Sequence, residues 1–133
     1  MKAKVFYKLF FLAIGVYDLL LGGSFALFYK NIFAYLNIEL PNHPAYIYVP
    51  ALFIMAGGVG EFLIARNLLR NVDLAIVRLL MKLSFALAVF YSYFKFGVPT
   101  IFVIISTASI IGVIINILFI RWANAQNLKV QLS

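Results

Sequence analysis

The sequence predicts an all-α integral membrane protein, a four-helix bundle with both termini on the cytoplasmic side. Three observations carry this. Apolar residues make up 65% of the 133-residue chain and charged residues only 11%, against about 45–50% and about 25% in soluble domains. The apolar residues gather into four long runs. The basic residues crowd one set of connections between those runs.

A soluble domain of this length exposes too much surface to hide so apolar a composition, whereas a bilayer solvates it. The runs cover residues 9–29, 47–65, 74–94 and 98–120. Each holds about 19–23 residues, enough to cross a hydrocarbon core of about 30 Å. Helices are the expected form, because a lone strand cannot satisfy its backbone in lipid. The chain is short enough to be a single transmembrane domain spanning residues 1–133.

The first run resembles a signal sequence in its lysines, Lys2, Lys4 and Lys8. It is longer than the usual apolar core of about 7–15 residues and it contains Asp18. A retained first span is therefore expected. Between the first and second runs, residues 30–46 read as an interfacial segment on the outer side. Ile32, Phe33, Leu36 and Ile38 offer a face suited to lying on a membrane surface, as an anchor or else a lid, and Pro41 and Pro44 end it. Residues 67–73 form a short polar turn that makes the second and third helices an antiparallel hairpin. A turn around Lys95, Gly97 and Pro99 joins the third helix to the fourth.

Orientation follows from charge. Lys2, Lys4, Lys8, Arg66, Arg70, Arg78, Arg121 and Lys129 fall on or near one side if the spans alternate; Lys30 and Lys95 fall on the other. Positive charge accumulates on the cytoplasmic side, so the inner membrane is the expected location, with N- and C-termini inside. The net charge of +7 then serves topology rather than nucleic acid, which is not expected as a partner. Tyr29, Tyr46, Tyr48, Tyr91 and Tyr93 gather at the outer ends of the spans, and Tyr7 and Trp122 at the inner ends, where amphipathic rings prefer the headgroup level.

The chemistry must reside in the polar residues inside the spans. A charge at mid-membrane costs about 2.5–3.5 kcal/mol on insertion scales, so it is expected to turn inward and find a partner. At 1.5 Å per residue, Asp18 lies ~14 Å and Lys82 ~12 Å from the inner surface. Glu61, Arg78 and Asn116 lie ~6 Å deep. The expectation is two polar layers, Asp18 opposite Lys82 and Glu61 opposite Arg78, with Asn116 in the shallower one. Small residues share these faces: Gly15 and Gly22 with Asp18, Gly57 and Ala65 with Glu61, Ala108 and Gly112 with Asn116. Small residues on a transmembrane face permit close helix approach, so the charged faces double as packing faces.

Other chemistries find no support. Cysteine is absent and His43 is the single histidine, so neither thiolate chemistry nor a transition-metal site can be assembled from the usual ligands. His43 sits in an outer loop and reads as solvated, with pH sensing as its other role. GGVGEF lies inside the second span with no suitable lysine after it, so it is not a phosphate loop. No serine–histidine–acid set is readable. No cofactor is expected, and enzymatic activity is not favoured.

The segments YDLLLGGSFALF, LPNHPAY, GGVGEFLIARN and MKLSFA, the last containing Lys82, together resemble small four-helix bacterial membrane proteins, DoxX-like in layout. The similarity extends over nearly the whole chain. It implies a compact four-helix bundle, and some DoxX-like proteins are associated with redox complexes or quinone oxidation. No catalytic residues carry over. Small multidrug transporters are similar in size, but their essential first-helix glutamate is replaced here by Asp18.

The expected function is therefore binding of a lipid- or quinone-like ligand, or service as an accessory subunit of a membrane complex. Asp18, Glu61, Arg78, Lys82 and Asn116 would line the site. The alternative is a proton-coupled transporter or channel, acting as a homo-oligomer, in which the two acids exchange protons.

Overall fold

The computed structural model describes residues 1–132, and all of its regular structure is helical. There are four helices: α1 (Lys2–Tyr35), α2 (Ala45–Arg66), α3 (Val72–Phe96) and α4 (Thr100–Leu132). Each is long and apolar enough to cross a membrane. Each also runs beyond the sequence-predicted apolar stretch at one or both ends. Hydropathy marks what lipid can cover, while lysine, arginine and glutamine continue a helix readily.

The chain divides into two compact units, residues 1–66 and 67–133. The first is the antiparallel hairpin of α1 and α2, and the second that of α3 and α4.

In the first hairpin, α1 leaves helical geometry at Phe28 (φ −124°, ψ 19°) and resumes for one further stretch. That stretch covers the beginning of the expected interfacial segment. Its Phe33 is buried and meets Phe25 edge-on at 6.4 Å. The helix stops in a Schellman arrangement: Asn37 N–H donates to Ala34 O and Ile38 N–H to Phe33 O. Asn37 supplies the left-handed residue (φ 52°) that this cap requires. At the start of α2, Nδ1 of His43 accepts a hydrogen bond from Ala45 N–H at 3.1 Å. The histidine thus satisfies one of the helix's otherwise orphan donors. Pro50 lies within α2.

Small residues set the helix contact. A β-carbon added to Gly22 would stand 2.5 Å from Ala51 O, and one on Gly58 would stand 2.8 Å from Gly15 O. Glycines 15 and 22, like Ala51 and Gly58, are seven residues apart. That spacing keeps one face of each helix turned toward its partner in left-handed packing. Tyr29 and Tyr48 meet edge-on at 5.6 Å toward the loop end.

In the second hairpin the turn is built at Asn67, whose Oδ1 accepts from Arg70 N–H and whose backbone carbonyl accepts from Asn71 N–H. α3 ends at Gly97, whose positive φ of 72° turns the chain toward Pro99 and α4. Two side chains of α4 reach backbone carbonyls, one on α3 and one in the turn that precedes it. Asn116 Nδ2 donates to Ala75 O and Asn127 Nδ2 to Leu69 O, each at 3.1 Å.

Candidate functional site

Four of the five sequence-predicted polar side chains inside the apolar helices are withdrawn from the surface. Glu61 is 0% exposed, Asn116 1%, and Asp18 and Arg78 6% each. Lys82 is half-buried. In an apolar segment a residue of this kind survives only when the fold gives it a structural or chemical role.

The first hairpin holds both acids. The Asp18 β-carbon lies within 3.2 Å of where a β-carbon on Gly58 would stand, so the carboxylate leaves the backbone at the tightest part of the helix contact. Gly15 faces Gly58 and Phe62, which brings Glu61 level with the turn of α1 around Gly15. Asp18 is three residues further along, about 4.5 Å in axial level. Phe11, Ile64 and Ala65 close the core on the side of the chain's start.

The second hairpin holds both bases and the amide. Asn116 is fixed on Ala75 O, one turn before Arg78 on α3. One turn after Arg78, the methylenes of Lys82 pass Gly112, with Cδ 3.8 Å from where a β-carbon would be. Arg78 is thus bracketed by two contacts that bind α3 to α4. Its Nη1 lies 3.6 Å from Met81 Sδ, a weak acceptor on the next turn.

The sequence-based pairs, Asp18 with Lys82 and Glu61 with Arg78, each take one member from each hairpin. Asp18 and Glu61 lie in the first hairpin, and Arg78, Lys82 and Asn116 in the second.

One buried polar residue escaped the sequence reading. Ser106 on α4 is fully buried, and its Oγ has no hydrogen-bond partner. Its neighbours Thr107 and Ser109 instead donate to carbonyls one turn back, Val103 O and Ile105 O. Serine in an apolar helix usually hides in this way, so its type gave no warning. The available signal was spacing: Ser106 lies seven residues before buried Val113, and Asn116 seven before buried Ala123, which places both on one heptad stripe. Asn116 Oδ1 is likewise buried without a hydrogen-bond partner. α4 therefore carries two acceptor atoms whose needs the protein's own groups do not meet.

No protein-family model, curated protein or solved structure matches this chain.

Proposed function

We propose that this is a multi-pass protein of the inner membrane, with both termini cytoplasmic, that binds a lipid- or quinone-like molecule through its intramembrane polar groups. The observation that carries the proposal is the withdrawal of Asp18, Glu61, Arg78 and Asn116 from the surface of helices apolar enough to cross a bilayer. Two acids in the first hairpin and two bases in the second balance in number, so the chain's intramembrane charges leave no net charge. Asn116 Oδ1 and Ser106 Oγ leave hydrogen-bonding capacity for a polar head. Apolar surroundings with a few placed polar groups are the usual composition of a small-molecule site. The resemblance to DoxX-like proteins favours a quinone-like head. Docking to a larger membrane complex is compatible with the same site.

The test is mass spectrometry of small molecules extracted from the protein purified in mild detergent. A lipid or quinone at near-stoichiometric amount is expected, and its loss in Asp18→Asn. No retained molecule in the natural chain would sink the proposal. Orientation is checked separately, because the chain lacks cysteine. His43→Cys should react with an impermeant maleimide from outside, and Ala125→Cys only after permeabilisation.

A second reading, a proton-coupled transporter, is favoured by the two acids lying about one turn apart in level on one hairpin. It requires proton-driven flux in liposomes that falls in Asp18→Asn and Glu61→Gln. Flux unchanged by both substitutions rules it out.

A further inference from the structure

We infer that the N-terminal end of the first hairpin is a binding surface for an anionic phospholipid, with Lys4, Lys8 and Arg66 taking the phosphate. The inference goes beyond the intramembrane ligand and shares with it only the membrane setting.

The argument starts from length. α1 has 34 residues, about 51 Å of helix against about 30 Å of hydrocarbon. Its kink at Phe28 and the neighbouring Tyr29 and Lys30 mark one boundary. Twenty residues back along the helix, the other boundary falls at Lys8. The first two turns therefore stand at headgroup level.

Register then shows what those turns lack. Gly15 faces Gly58 and Phe62, so Arg66, where α2 ends, comes level with residues 7–11 of α1. Lys8 stands at that rim, and Lys4 one turn beyond it. Both continue the face that carries Phe11, Gly15, Asp18 and Gly22, which further along is buried. Where α2 stops, the packing face of α1 changes from small and apolar residues to lysine. Lys4, Lys8 and Arg66 are exposed, and no acidic residue precedes Asp18 to neutralise them.

More than a third of a turn around the helix, Met1, Lys2, Val5, Phe6 and Leu9 form an open apolar surface. Val5, Phe6 and Leu9 are each more than half exposed. Three exposed cations gathered at headgroup depth, with apolar helix continuing into the hydrocarbon below them, are complementary to one kind of molecule, a phospholipid with net negative charge. Polybasic segments next to a membrane span attract anionic lipid with about 1 kcal/mol per lysine or arginine. That is about fivefold in affinity for each charge.

The experiment is native mass spectrometry of the full chain, reconstituted in nanodiscs of equal parts phosphatidylglycerol and phosphatidylcholine and then released. Phosphatidylglycerol should be retained at least about tenfold over phosphatidylcholine. The ratio should fall to near one in Lys4→Gln/Lys8→Gln/Arg66→Gln. Lys4→Gln alone, beyond the end of α2 and outside the helix contact, should lower it about fivefold without unfolding the hairpin. Lys30→Gln, at the opposite end of the hairpin, should leave it unchanged. Equal retention of the two lipids overturns the inference, as does a preference that survives the triple substitution or falls equally with Lys30→Gln. Displacement of the lipid by millimolar inorganic phosphate also overturns it, because the surface would then be a site for a soluble anion.

Discussion

The two hairpins solve the same problem by different means. In the first, α1 and α2 approach until backbone touches backbone. Gly58 and Gly15 leave no room for a side chain, and Gly22 fits against Ala51 O with none to spare. In the second, α3 and α4 stand far enough apart that Gly112 meets only lysine methylenes at ordinary contact distance. Their union is made instead by amides, Asn116 to Ala75 O and Asn127 to Leu69 O. The difference teaches which force is available in lipid. Burying apolar surface gains little there, so helices associate through close van der Waals packing or through interhelical hydrogen bonds. This chain uses one in each hairpin.

The contrast can be broken most forcefully at Gly22. Gly22→Leu places a branched side chain where even a β-carbon meets a carbonyl oxygen, so a loss of about 3 kcal/mol or more is expected, at the upper end of overpacking costs. Reversible unfolding in mixed micelles, followed by circular dichroism, would register it; a near-neutral result would mean that the helix contact is loose. Asn116→Leu should cost about 1 kcal/mol, in the range of interhelical hydrogen bonds in membranes. If it instead costs as much as Gly22→Leu, the second hairpin does not rest on a hydrogen bond of ordinary strength. Asn127→Ala removes a partly buried bond near the turn, and about 0.5 kcal/mol is expected. Faster exchange of the Arg70 and Asn71 backbone amide protons in NMR should report the loosened turn even where the melting curve scarcely moves. Gly23→Ala sharpens the comparison from the other side. No atom outside its own turn of helix lies within 4 Å of the new methyl group, and alanine is the better helix former, so a gain of about 0.5 kcal/mol is expected. Adjacent glycines with opposite responses would show that position on the packing face, not glycine itself, sets the outcome.

The sequence showed the helices because apolar runs of bilayer length have few other interpretations. It pointed Asp18, Glu61 and Asn116 inward because each shares a helix face with small residues, and Arg78 because a charge inside a span seeks cover. Other features were not legible, for definite reasons. The break at Phe28 has no proline to announce it, and its nearest glycine, Gly23, lies five residues away. The partners of Asn116 and Asn127 are main-chain carbonyls, which every residue carries, so no pattern of side chains points to them. His43 read as a solvated loop residue, since whether its Nδ1 meets Ala45 N–H depends on how Pro44 turns the chain. The division into a glycine-packed and an amide-joined hairpin was hidden as well. Small residues occur on the faces of α2 and α4 alike, and only the distance between backbones tells which are pressed against a neighbour.

The bond from Asn127 to Leu69 has a practical consequence. It straps the far part of α4 across the turn that holds Arg70, while Leu68 beside it is buried. A protease must draw several residues of chain into its cleft in extended form before it can cut. Trypsin should therefore leave the Arg70–Asn71 bond intact for as long as the strap holds. The rate of that cleavage becomes a clock for release of the C-terminal part of α4, readable on a gel without any label.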